Sequence, residues 1–288
     1  MILLFIAAAV MLKISPHEEK DTLPVSAAKK TVQSDVGSGA EIFREKAEKF
    51  VAHRGYSNYA PENSIPAFEL AGKHGFWGIE TDIYETTDGQ FVCLHDDYLD
   101  RTTNGTGKVT DYSLEQLETF RIDSGSNVEV SENLKIPTLQ EYLEICVKYD
   151  CVAVVEIKTI QNYDEFLGLI YESGATNRCI IMSGNINDIK EIRARNTGIP
   201  VMVIGYGTMP YTDNVAAIAE IPDNRGILFN YPQVDRAAID IVHEQNIYCG
   251  VWSVDEKDLA EAYLGYGADF VVTNEIPAAL RYKVNENE

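Results

Sequence analysis

Hydrophobic positions along this chain form short, nearly continuous runs separated by longer stretches with helical spacing. The runs fall at 50–52, 78–84, 152–157, 178–182, 201–204, 226–229, 248–254 and 270–272. Amphipathic stretches lie between them at 139–149, 163–172, 187–195, 213–220, 234–245 and 257–264, with a closing helix at 276–282. Short β-rich runs alternating with amphipathic helices predict parallel βαβ units. About eight units are present, as a (β/α)8 TIM barrel of the α/β class requires. A doubly wound sheet is the alternative architecture, but no GxGxxG or GxxxxGK opens a helix.

The early part of the chain departs from this regularity. A short helix at 40–49 leads into the first run, and Asn63 or Ser64 caps the next helix. Asp88-Gly89 signals a hairpin after the second run, with its return at 91–94. A polar excursion rich in Thr, Gly and Asn then occupies 97–137 as a small insertion. It is long for a βα connection, and such loops carry function. The first thirteen residues are continuously apolar up to Leu12, too short for a membrane span and without a preceding basic residue. A polar, turn-rich stretch over 14–39, containing His17, reads as a tether to a domain at 40–288. This pattern predicts export or anchoring on the extracytoplasmic side. A start that is not a signal leaves the chain in the cytoplasm.

Charge narrows the partners. The 288 residues carry a formal net charge of −21 and a pI near 4.6, which argues against general nucleic-acid or anionic-membrane binding. Five cysteines, with no CxxC among them, read as reduced, buried thiols.

On a barrel, polar residues at the C-terminal ends of strands carry function. Here these are His53 and Arg54 after the first strand, Glu80 and Asp82 on the second, and His95 after the return. Glu156 and Lys158 lie on the third strand, Trp252 on the seventh, and Thr273-Asn274-Glu275 end the eighth. Glu80 and Asp82 are two apart and share a face. Three carboxylates suit one hard divalent cation, Ca²⁺ or Mg²⁺. Arg54 and Lys158 suit a phosphate beside that cation. His53 and His95 suit general acid–base work. Taken singly, each has a plainer explanation: a barrel-interior acid pair, a salt bridge, a structural histidine. Their coincidence at one face carries the argument. His74 and His243 read as solvated helix residues and Cys93 as core.

These residues resemble the glycerophosphodiester phosphodiesterase family. The resemblance lies in His53-Arg54-Gly55, Pro61-Glu62-Asn63, Glu80-x-Asp82 and His95-Asp96, and in the excursion Leu99-x-Arg101-Thr102-Thr103-x-Gly105-x-Gly107. Ile136-Pro137-Thr138-Leu139, Glu156-x-Lys158, Trp252-Ser253-Val254 and Thr273-Asn274 continue it, and Ser64 replaces the Thr of many members. The resemblance implies a metal-dependent barrel enzyme that cleaves small glycerophosphodiesters to an alcohol and sn-glycerol 3-phosphate. Glu80, Asp82 and Glu156 would hold the metal, and Arg54 and Lys158 the phosphate. His53 and His95 would exchange protons in an order the sequence leaves open, after attack by the substrate's own 2-hydroxyl. Glu62 would support the site, and Trp252 would pack on glycerol or serve as a barrel-interior residue. Two rivals are a phospholipid-cleaving barrel of the phospholipase D-toxin or phosphoinositide-specific kind, and a barrel retained only for binding. The polar, mixed-charge excursion argues against the first. The full set of acids and histidines argues against the second.

Overall fold

A computed structural model describes residues 39–130, 133–196, 198–205, 212–232 and 234–275. The apolar start at 1–13, the tether up to residue 38 with His17, and the helix expected at 276–282 lie outside the described residues.

The chain runs β1 (Phe50–Ala52), α1 (Ile65–Lys73), β2 (Gly78–Glu85), β3 (Phe91–Cys93), α2 (Leu114–Leu117), α3 (Leu139–Lys148), β4 (Val152–Thr159) and α4 (Tyr163–Ser173). It continues with β5 (Cys179–Ser183), α5 (Ile186–Arg195), β6 (Val201–Gly205), α6 (Thr212–Ala219), β7 (Arg225–Asn230), α7 (Arg236–Glu244), β8 (Tyr248–Trp252), α8 (Lys257–Tyr266) and β9 (Phe270–Thr273). Eight parallel strands, β1, β2 and β4 to β9, pair in sequence order, and β9 pairs back with β1. These eight strands therefore form a closed ring, as in a (β/α)8 barrel. β3 turns back antiparallel on the upper part of β2, as the Asp88-Gly89 signal predicts.

Local chemistry sets the helix ends. Ser64, not Asn63, caps α1 by accepting from the Ala67 amide. Thr138 and Glu141 form a reciprocal capping box on α3. Gly174 and Gly267 close α4 and α8 in the left-handed conformation that a side chain resists.

Strand periodicity divides the core in two. One parity, including Ile79, Ile83, Val155 and Ile181, faces the helix layer. The other, including Val51, Val154, Met182, Ile204, Leu228 and Val272, fills the barrel. Continuing the inward parity upward reaches His53 on β1's exit, Glu80 and Asp82 on β2, Glu156 and Lys158 on β4, and Trp252 on β8. The apolar interior thus gives way to a charged mouth at one end.

At the other end, the residues before β1 plug the barrel. They form a 3₁₀ turn, Gly39–Arg44, in place of the longer helix expected at 40–49. Phe43 is buried, stacked on Tyr248 with ring centroids 4.1 Å apart and near Phe270 at 6.4 Å. Glu45 accepts from the Trp77 indole at 2.9 Å and pairs with Arg178 at 2.5 Å. Phe43 and Glu45 thus tie the residues just before β1 to the barrel. Phe43→Ala is expected to cost about 3 kcal/mol, as buried Phe truncations do, while removal of residues 1–38 leaves stability and turnover unchanged. Urea denaturation and activity measured on both variants check this. A destabilised truncation would move the boundary upstream.

The 97–137 insertion is less polar inside than its composition suggests. Leu99, Val109, Leu117, Ile122 and Ile136 form an apolar cluster with Tyr84, Val92 and Leu94. The insertion is therefore a small packed lobe on β2 and β3. All five cysteines are buried and unpaired. Among the described residues, no helix is long and apolar enough to cross a membrane.

Candidate active site

The turn after β1 is built by backbone geometry. Arg54 takes a left-handed φ of 56°, uncommon for a residue with a side chain. In that conformation its amide donates to Glu80 Oε2 at 2.8 Å. Gly55 follows at φ 76°, and a Cβ there would lie 2.7 Å from the backbone of Ala67. Glycine lets the turn sit against α1 and hold Arg54 over the mouth.

Glu80, Asp82 and Glu156 meet just below. One carboxylate oxygen from each lies within 4.8 Å of the others. Strand register explains the meeting, because Asp82 sits directly opposite Glu156 on the neighbouring strand and Glu80 one inward position below. Glu80 and Asp82 are 2% and 1% exposed. Burial, then the Asp82 and Glu156 charges, pushes the Glu80 carboxyl well above the usual carboxylate range. Burial would raise Asp82 too, but Lys158, His95 and Arg54 beside it, with a hydrogen bond from Asn63, hold it below that range.

Lys158 shares the inward parity of Glu156 and sits at a bulge. Ile157 pairs with Ile83 and Thr159 with Tyr84, so Lys158 is the extra residue on β4. Its Nζ lies 3.0 Å from Asp82 and 2.6 Å from Glu156. Arg54 Nε lies 3.8 Å from Asp82 and makes no hydrogen bond, although it is buried.

The two histidines are oriented differently. His53 Nδ1 lies 2.9 Å from Asn274 Oδ1. The Asn274 amide orientation is fixed, since its Nδ2 donates to both Asp255 oxygens at 3.2 and 3.1 Å while Oδ1 accepts from Ser57. His53 therefore donates through Nδ1–H and keeps an Nε2 lone pair. Burial, then Arg54, lowers its pKa to about 4, so the ring is neutral near pH 7. His95 instead sets Nδ1 2.6 Å from the Asp96 carboxylate. The Asp96 carboxylate fixes the orientation of the His95 ring.

The mouth is a solvent-open cavity whose lining includes His53, Arg54, Glu80, His95, Glu156, Lys158 and Trp252. Of the residues expected to hold metal, phosphate or glycerol or to move protons, all but Asp82 line this one cavity; Asp82 sits beneath as partner to Lys158 and Asn63, and Glu62, Thr273, Asn274 and Glu275 stand outside the lining. Trp252 is half-buried at its wall, not packed away in the core. Supporting residues complete the site. Glu62, expected as a support, accepts from Arg54 at 2.9 Å. Asn274, a strand-end candidate, meets His53, and Asp96 meets His95. Asn63 donates to Asp82 at 2.8 Å and accepts from Thr81 at 2.7 Å. Asn63 and Asp96 stand in motifs of the resemblance without a role of their own in the site, and the adjacency of Asp96 to His95 is the one signal for it. His243, expected to be solvated, is half-buried and paired with Asp269 at 3.0 Å, far along the chain from this site.

The donor set fits a divalent cation. It is all carboxylate oxygen, which hard cations prefer. It is buried, and among the described residues Glu80 has no cationic side chain bonded to it to match its charge. Three crowded carboxylates of this kind are costly without added positive charge.

Comparison with known proteins agrees with this geometry. The model of the glycerophosphoryl diester phosphodiesterase family matches residues 53–278. A glycerophosphodiester phosphodiesterase of Caldanaerobacter subterraneus subsp. tengcongensis is 30% identical over 232 residues, covering 78% of this chain and 93% of its own. Two solved structures share the fold. One is an Oleispira antarctica phosphodiesterase in complex with the product sn-glycerol-3-phosphate, with TM-score 0.69, 23% identity, and coverage of 83% of this chain and 97% of that one. The other is a glycerophosphodiester phosphodiesterase of Thermotoga maritima, with TM-score 0.64, 20% identity, and coverage of 83% and 98%. By closed barrel, charged mouth and family match together, the chain belongs to the glycerophosphoryl diester phosphodiesterase family and is a phosphoric diester hydrolase.

Proposed function

We propose that this enzyme hydrolyses small glycerophosphodiesters to an alcohol and sn-glycerol 3-phosphate, with one Ca²⁺ or Mg²⁺ held by Glu80, Asp82 and Glu156. The observation that carries the reading is the convergence of three buried carboxylates, two cations and two differently oriented histidines on one cavity. The bound cation would supply positive charge at the phosphoryl oxygens.

The chain's own residues do the rest. Arg54 offers a buried Nε–H with no other acceptor, and Lys158 offers Nζ, so both bind the phosphoryl group. His53 Nε2 takes the proton of the substrate's 2-hydroxyl as that oxygen bonds to phosphorus. His95 Nε2 gives a proton to the departing alkoxide as its P–O bond breaks. The product of this step is a five-membered cyclic phosphate. Water then opens it with the histidine roles reversed. Trp252 offers an apolar wall for the glycerol carbons.

A substrate lacking the 2-hydroxyl tests the route. Release of the head-group alcohol from it should fall to background, while the parent diester is turned over and yields glycerol 3-phosphate. Rapid cleavage of the analogue would show direct attack by water and overturn the cyclic route. The apolar start and polar tether place the domain outside the cytoplasm in this reading. Recovery of the native chain in the cytosolic fraction would overturn that part alone.

A further inference from the structure

We propose that Arg101, supplied by the inserted lobe, is a positioning residue that locks the phosphate-binding Arg54 and the proton-transferring His95 into one fixed geometry. The proposal rests on the phosphodiesterase reading above and deepens it. Arg101 forks twice. Its Nη1 and Nη2 donate to the two Glu62 oxygens at 2.8 and 2.7 Å. Its Nε and Nη2 donate to the two Asp96 oxygens at 2.6 and 3.0 Å. Glu62 in turn accepts from Arg54 at 2.9 Å, and Asp96 meets His95 Nδ1 at 2.6 Å. Charges alternate along the chain Arg54–Glu62–Arg101–Asp96–His95, and both ends line the cavity.

Stability does not account for this arrangement. Arg101 is 47% exposed, an isolated exposed pair contributes about 0–1 kcal/mol, and the excess that a bidentate network adds does not require both ends of the network to line a cavity. Geometry accounts for it better. A guanidinium engaging two carboxylates, each by two bonds, fixes the planes of both, which an ammonium cannot do. Asp96 so fixed holds the His95 ring in one rotamer. Glu62, its charge shared with Arg101, holds Arg54 without neutralising it alone. The mounting of Arg101 is rigid. It ends a 3₁₀ turn whose Leu99 is fully buried in the lobe's apolar cluster, and Tyr84 donates to Asp97 at 2.6 Å beside it. The insertion therefore acts on the chemistry without touching the reacting atoms.

Arg101→Ala should lower kcat about 10- to 10²-fold, the usual loss when a residue that orients a site residue is removed, with the thermal midpoint little changed. Arg101→Lys, which keeps the charge and loses the fork, should fall nearly as far. Free guanidinium should restore part of the rate to Arg101→Ala and none to Arg101→Lys. The His95→Ala/Arg101→Ala double variant should be within about threefold of His95→Ala, because residues acting through one group do not add. The His95 ring resonances of the full chain, followed by NMR without substrate, should shift in Arg101→Ala. That readout needs no turnover. A wild-type chain inactive on glycerophosphodiesters would sink the functional reading, whereas an unmoved His95 ring sinks the positioning role. Wild-type kcat in Arg101→Ala, full activity in Arg101→Lys, or multiplied losses in the double variant would overturn it as well.

Discussion

Replacing either His53 or His95 with alanine is expected to lower kcat by at least about 10²-fold, within the 10²–10⁴ that one positioned proton transfer contributes. The two losses should differ in kind. His53 keeps Nε2 as an acceptor because Nδ1–H is tied to Asn274, so on the proposed route its loss would remove the base for the attacking hydroxyl. His95 faces Asp96 through Nδ1, so on that route its loss would remove the acid for the leaving alkoxide. A substrate with a nitrophenolate leaving group needs no such acid. His95→Ala should therefore regain much of its rate on that substrate, and His53→Ala should not. Neither histidine is proposed as a metal ligand, so metal affinity and the thermal midpoint should survive both changes. Near-normal turnover in either variant removes the acid–base assignment. An equal response of both to the activated substrate removes the division of roles.

Chelator is expected to reduce turnover to background, and added Ca²⁺ or Mg²⁺ to restore it. The reason is the electrostatics of the acidic cluster. Glu80 is almost fully buried beside two other carboxylates, while Lys158 pairs directly with Asp82 and Glu156. Glu80→Gln keeps the shape and removes one ligand charge. A cation contributes several kcal/mol of charge stabilisation, and about 1.4 kcal/mol is tenfold in rate. The variant should therefore lose at least about 10²-fold in kcat/KM. Calorimetric titration with the metal alone should show weakened binding. Without metal, the thermal midpoint of Glu80→Gln should not fall below wild type, since the substitution relieves like-charge crowding. Added metal should raise the wild-type midpoint and move the variant's little. Full activity in chelator, or unchanged metal affinity in Glu80→Gln, would sink the three-carboxylate site.

Much of this protein was legible from the chain alone. Period-two runs and helical spacing state which side chains a strand or helix must bury, and that is local information. The eight strands, the hairpin at Asp88-Gly89 and the shared face of Glu80 and Asp82 followed directly. The site candidates followed because barrel strands expose polar residues only at their ends. Other features depend on which strands become neighbours, and on backbone conformations that no periodicity encodes. Register set Asp82 opposite Glu156, with Lys158 within reach of both. A left-handed Arg54 aimed its amide at Glu80. Asn274, 221 residues from His53, came to orient it only through barrel closure. Arg101 joined Glu62, 39 positions away, only because the lobe has an apolar core of its own. Sequence determined the kinds of groups and the elements that carry them. Closure, register and lobe packing decided which of those groups touch, because each is an interaction between residues far apart along the chain.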